Sequence, residues 1–301
     1  LKVNCSEFPN SLILYCLCAN NNPAGDFMQT NSKTMKSRSA NLISSLYDKQ
    51  KTRFSIDDVV DITGLDRQSA RSFTSKLVIR GLVTHIGPGL YAIVPFDLGI
   101  SSRFQENPYI VARELVRDNL YFLSHASAMD LHQMVTQPQL VIYVTSPHFM
   151  RSQTISGAEY HFVRCKKEAF FGFTEHWVSK TDKVIISDLE RTILDGLAHP
   201  QYCGGISEVA KGLWIQHNEI NWDRLLEYAT RLDKKVVFNR LGYLLDLYGL
   251  ATEEFRLVLK GRLSSSFPLL DPLMPKEGPY KSSWKLQINI PPEELDRIRF
   301  T

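Results

Sequence analysis

Hydrophobic residues recur at helical spacing three times between residues 38 and 80. Ala40, Leu42, Ile43 and Leu46 share one face, and the basic residues Lys49, Lys51 and Arg53 follow it. Ser55 precedes Ile56, Val59, Val60 and Ile62, with Asp58 three residues after the serine. That spacing predicts a capping box opening a second, short helix, which Gly64 ends. Asp66 can cap a third helix whose inner stripe is Ala70, Phe73, Leu77 and Val78. Beyond Arg80-Gly81 two short apolar runs, 82–86 and 90–94, flank Gly87-Pro88-Gly89 and read as a hairpin. Three helices followed by a hairpin is the order of a winged helix-turn-helix, expected over residues 37–96.

From Pro108 the pattern alternates between helix and strand. A helix is predicted over 110–118, strands over 140–145 and 159–164, and a helix after Ser187 with Ile193, Leu194 and Leu197 as its core face. Gly204-Gly205 reads as a turn before a helix near Ser207. Two more packing helices carry Trp222, Leu225, Leu226 and Ala229, then Val236 to Leu247 before Gly249. Residues 284–290 alternate like a strand. The expected fold class is α+β, the N-terminal winged helix being followed by a larger mixed α/β domain over 97–301. Residues 1–36 show no period and are expected to form an arm outside the fold, disordered or upstream of a true start at Met28 or Met35.

Composition agrees with a folded chain of about two domains: 301 residues, 44% hydrophobic and 22% charged. The longest apolar run, Leu12 to Ala19, falls far short of the roughly 20 residues of a membrane span, so no membrane partner is expected. Five cysteines (Cys5, Cys16, Cys18, Cys165 and Cys203) form neither an even disulfide framework nor a zinc spacing, which suggests a reducing cytoplasm. The net charge of +3 is unevenly spread. Residues 1–95 hold 11 basic and 7 acidic side chains, whereas the remainder is nearly balanced.

That basic first third directs attention to the outer face of the third helix, formed by Arg67, Gln68, Arg71, Ser72, Ser75 and Lys76. Arg and Gln carry the planar donors and acceptors that read base edges, while Ser and Lys suit phosphates. Arg38, Lys49, Lys51 and Arg53 are candidates for electrostatic docking, and His85 is the one potentially cationic residue of the wing, whose tip carries proline. A protein-interaction module with the same fold remains the alternative.

The rest of the chain offers less chemistry. Asp188, Glu190 and Asp195 could be read as a metal-binding carboxylate cluster, but each also has a local role. Ser187 with Glu190 suits a capping box, Asp188 suits a helix N-terminus, and Arg191 pairs with Asp195 at i,i+4. His125 and His132, seven apart, would lie about 10 Å from each other on one helix, too far to share zinc. Neither Ser127 nor Cys165 has a motif supplying an oriented base. Lys234, Lys235, Arg240, Lys260 and Arg262 form either a solvated face or a surface for an acidic partner. No catalytic residue, metal or cofactor is expected.

Five segments in order resemble the AbiEi family, the antitoxins of bacterial type IV (abortive infection) toxin-antitoxin operons. They are Arg80-Gly81-Leu82 with Gly89-Leu90-Tyr91, Ser124 to Met129, Ser187 to Asp195, Arg240 to Leu245, and Leu270 to Gly278 with Trp284 to Asn289. The resemblance implies a protein that represses its own operon through the winged helix. Its C-terminal domain would counteract a co-encoded nucleotidyltransferase-like toxin. The DNA partner would be an inverted repeat upstream of its own gene, bound by two copies. A transcription factor with a ligand-sensing C-terminal domain, or a DNA-targeted nucleotidyltransferase or nuclease, are the competing readings.

Overall fold

A computed structural model describes residues 35–95, 106–116, 120–135 and 140–300, so the arm expected at the N-terminus lies outside it save for residues 35 and 36. The chain begins with α1 (Ser37–Asp48), β1 (Arg53–Ser55), α2 (Ile56–Thr63), α3 (Arg67–Ile79), β2 (Val83–Gly87) and β3 (Leu90–Ile93). The caps follow the local sequence. Ser55 and Asp58 form the reciprocal box at α2, Gly64 closes it at φ +67°, and Asp66 accepts from the amides of Gln68 and Ser69.

Leu42, Ile43, Leu46, Phe54, Val59, Ala70 and Leu77 form the core between these helices. On α3 the buried stripe contains Thr74 and only partly Phe73. The Thr74 hydroxyl bonds back to the carbonyl of Ala70 at 2.8 Å, which satisfies it and lets it enter the core. Strand β1 has no pattern of its own. It forms because Phe54 buries against Tyr91 and the backbone pairs with β3, completing an antiparallel sheet in the order β1-β3-β2.

The larger unit is mixed α/β. It contains α4 (Pro108–Val116), β4 (Phe122–Leu123), α5 (His125–Leu131), β5 (Val141–Ser146), β6 (Gln153–Ile155), β7 (Ala158–Arg164), β8 (Phe173–Trp177) and β9 (Lys183–Ser187). Its six-stranded sheet runs β6-β7-β5-β4-β9-β8, parallel at β5/β7 and β4/β9 and antiparallel elsewhere. Five helices follow: α6 (Leu189–Ala198), α7 (Ile206–Gln216), α8 (Trp222–Leu232), α9 (Lys235–Tyr248) and α10 (Glu253–Lys260). The hairpin β10 (Tyr280–Lys281) and β11 (Leu286–Gln287) and the helix α11 (Pro292–Arg297) end the chain.

Several local expectations change here. Ser187 does not cap α6; it ends β9, and Asp188 takes the cap by accepting from the amide of Arg191. Glu190 is instead fully buried, holding the amide of Asn221 and the guanidinium of Arg224. The strand expected over 284–290 shrinks to Leu286–Gln287, because Trp284 turns into the core against Gly242. A Cβ at Gly242 would lie 2.1 Å from that indole, so only glycine admits the ring. Arg240 is not on a solvated face. It is buried and donates to the carbonyls of Leu197 and Leu269, which ties α9 to α6 and to the segment before the hairpin.

The two units share a core. Ile86 and Ala92 of the small sheet pack with Val111 and Ala112 of α4, and the Leu115 side chain lies close enough to Gly87 to touch any Cβ there. Among the described residues no helix is long and apolar enough to cross a membrane.

Candidate nucleic-acid interface

Helices α2 and α3 are joined by three residues, Gly64, Leu65 and Asp66, which is the spacing of a tight helix pair. The side of α3 turned from the core exposes Arg67, Gln68, Arg71, Ser72, Ser75, Lys76 and Ile79. The structure thus brings all six of the predicted α3 residues onto one exposed surface. Among the described residues, the side chains of Gln68, Arg71, Ser72 and Lys76 have no hydrogen-bond or ion-pair partner. Arg67 pairs with Asp57 at 2.7 Å, but both side chains are 63% exposed, and such a pair exchanges readily for another partner. The Ser75 hydroxyl is turned back to the carbonyl of Arg71 at 3.0 Å.

The docking residues divide. Arg38 and Lys49 are exposed and unpaired among the described residues. Lys51 donates to Asp58 at 2.7 Å, reinforcing the carboxylate that caps α2. Arg53 is largely withdrawn from solvent, its side chain 14% exposed. Its Nε donates to Glu106 and its two terminal nitrogens to Asp182, so its charge is consumed inside the protein and it is withdrawn as a docking residue. His85 is exposed on β2 with its ring edge against Tyr91.

One feature of the surface has no signal in the sequence. A cleft of about 690 Å³ between α3 and the turn from β2 to β3 is lined by Arg67 and Arg71, but also by Asp57 and by Glu114 of α4. The side of α3 facing the β2–β3 turn is therefore electrostatically mixed. Glu114 arrives from the larger unit, 43 or more positions away from either arginine.

In the larger unit the three carboxylates of the possible metal cluster are separately employed. Asp188 caps α6 and accepts from the Tyr228 hydroxyl at 3.0 Å, Glu190 holds Arg224, and Asp195 pairs with Arg191 at 2.9 Å. Among the described residues no three His, Cys, Asp or Glu side chains are grouped to hold a metal. A second polar group surrounds His125, which adopts φ +50° and is buried against Tyr143, His199 and Tyr202. Its Nδ1 meets the Ser124 hydroxyl at 2.9 Å, and that hydroxyl in turn receives Thr145. Burial pulls His125 down to about 4, so its ring is neutral at pH 7. Nearby, Lys234 lies 2.9 Å from His199 Nε2, and burial lowers both groups.

No family model matches the sequence, and no curated protein sequence does. A solved structure is similar. It is the RV2827C protein from Mycobacterium tuberculosis, with a TM-score of 0.65 over 86% of this chain and 94% of that one, at 17% identity. The covered share is too large for either unit alone, so the likeness extends over both. At that identity it concerns the fold.

Proposed function

We propose that this protein is a DNA-binding repressor in which residues 37–96 act as a winged helix-turn-helix, α3 entering the major groove. The observation that carries this reading is the run of Gln68, Arg71, Ser72 and Lys76 on one exposed face, unpaired among the described residues and with no carboxylate between them. A polar helix face awaiting only water usually mixes signs; this one offers base-reading amide and guanidinium groups beside phosphate donors. Each good bidentate base contact contributes about 1–3 kcal/mol of discrimination. One such helix reads too few base pairs for genome-wide selection, so two copies act on an inverted repeat.

The larger unit is assigned, on the AbiEi resemblance, to counteracting a nucleotidyltransferase-like toxin encoded beside this gene. The residues carrying that resemblance are chiefly scaffold. Asp271 accepts from the amide of Ile206 at 2.7 Å to start α7, and Arg240 donates to the backbone carbonyls of Leu197 and Leu269. They support a shared architecture, with the toxin contact left to its surface.

The test is binding of the purified protein to DNA upstream of its own gene across a salt series, with Gln68→Ala/Arg71→Ala beside the wild type. Preference for that DNA over a scrambled duplex, lost in the variant, supports the repressor. Equal binding to both duplexes overturns it. Rescue of growth on co-expression with the neighbouring gene tests the antitoxin half independently.

A further inference from the structure

On the side of α3 away from the wing, a cavity of about 590 Å³ opens between the start of α1 and the C-terminal half of α3. Four cationic side chains line it: Lys36 and Arg38 from α1, Lys76 and Arg80 from the end of α3. Among the described residues no acidic side chain lines it. Among the described residues none of the four is paired with a carboxylate, and none of those residues compensates their mutual repulsion by an ion pair.

Two further observations point to an anion. Arg80 is anchored by Nη1, 3.4 Å from the buried hydroxyl of Ser39, while its Nη2 is shut from solvent with no hydrogen-bond partner among the described residues. A buried guanidinium donor without an acceptor is costly, and an oxygen supplied from outside relieves it. The same cavity receives the first turn of α1, whose N-cap Lys36 supplies no side-chain acceptor and whose first turn has no acidic residue. The free amides there carry the positive end of the helix dipole.

We infer that this cavity is a phosphate site, in which Lys36, Arg38, Lys76, Arg80 and the N-terminal amides of α1 hold one backbone phosphate of bound duplex DNA. The choice of DNA as the source rests on the function proposed above. With the N-terminal half of α3 in the groove, Lys76 and Arg80 lie one turn apart toward the rim, where the sugar-phosphate strand runs. A tetrahedral oxyanion has the several acceptors that two guanidinium groups, two ammonium groups and a helix N-terminus require together. Arg38 and Lys76 are thereby joined by Lys36 and Arg80, which the sequence pattern does not single out.

The experiment uses the full chain and two variants, Arg80→Gln and Lys36→Gln; the second lies at an exposed helix start and leaves the core untouched. In the DNA arm, each variant weakens binding to the upstream duplex and to a scrambled duplex by a similar factor, about 5- to 10-fold. The log-affinity against log-salt slope falls by about 1. Ethylation of a single phosphate per half-site blocks the wild type but makes no further difference to Arg80→Gln. In the free-anion arm, inorganic phosphate raises the melting temperature above a chloride control of equal ionic strength, and Arg80→Gln removes the increment.

Wild-type duplex affinity and salt slope in both variants, with no phosphate increment in the melt, overturn the site and leave the DNA reading standing. If no duplex binds but the Arg80-dependent increment remains, the phosphate site stands and its source is a free phosphate-bearing molecule, while the repressor reading fails.

Discussion

The Arg53 guanidinium grips the Asp182 carboxylate through two nitrogens, at 2.7 and 3.1 Å, across 129 residues of sequence. Arg53 belongs to the first strand of the small sheet and Asp182 to the turn before β9, so the pair clamps the two units to each other. Glu106 takes the remaining Arg53 nitrogen, and Arg113 approaches Asp182 from α4. Burial alone would raise Asp182, but the bonds from Arg53, Thr181 and Arg113 prevail and hold it down to about 2. The α3 surface is thus presented at a set angle to the larger unit, since the apolar contacts of Ile86 and Ala92 sit beside this ion cluster.

Asp182→Asn leaves Glu106 as the one carboxylate bonded to the largely buried Arg53 among the described residues and is expected to destabilise the protein by about 2 kcal/mol at pH 7. The acid limb follows from the sign of the shift. A carboxylate held below its ordinary value contributes stability that is complete above about pH 4 and is lost as pH falls toward 2. Urea melts at pH 7 and pH 3 should therefore separate wild type from Asp182→Asn widely at the first pH and less at the second.

His125 acts in the same direction at higher pH, because its folded value too lies below the unfolded one. Its folded form stays neutral down to about 4, whereas the unfolded chain protonates near the ordinary 6.5, so acidification through that window favours unfolding. The stability lost is on the order of 3 kcal/mol, with His199 adding in the same sense. His125→Asn keeps a residue that tolerates positive φ and should flatten the stability curve between pH 6.5 and 4. An imidazole resonance of His125 titrating near 6.5 in the folded protein would show this account to be wrong.

On α3, Arg71→Ala should reduce the preference for upstream over scrambled DNA by about 10-fold, the loss of one base-reading contact. Arg67→Ala should cost less, because Arg67 must give up its solvated pair with Asp57 to reach DNA and so contributes less net affinity. Fluorescence anisotropy on both duplexes separates the two, and equal losses on both duplexes would place Arg71 on phosphate instead.

Asp188→Ala removes the cap of α6 and the acceptor of the Tyr228 hydroxyl, so a stability loss of about 1–2 kcal/mol is expected in thermal melts. If Asp188 instead served a metal, divalent cations would raise the wild-type melting temperature and not that of the variant.

The elements most legible in the sequence are those fixed by neighbours along the chain. The box of Ser55 and Asp58, the cap of Asp66, the left-handed Gly64 and Gly249 and the stripe of α9 all arise from residues within a turn or two of each other. The exposed face of α3 was readable for the same reason, since helical period alone separates Ala70 and Leu77 from Gln68 and Arg71. Arg53 was not readable, because after Lys49 and Lys51 it continues a basic exit until Asp182 arrives from another sheet. Arg80 likewise ends a helix in sequence and meets Ser39 and the start of α1 only in space. Trp284 continued an alternating strand until Gly242 opened a place for its ring. Local hydrogen bonds and periodicity are encoded over a few residues. The destination of a charge or a large ring depends on which distant surface desolvates it, and only the packed chain decided that.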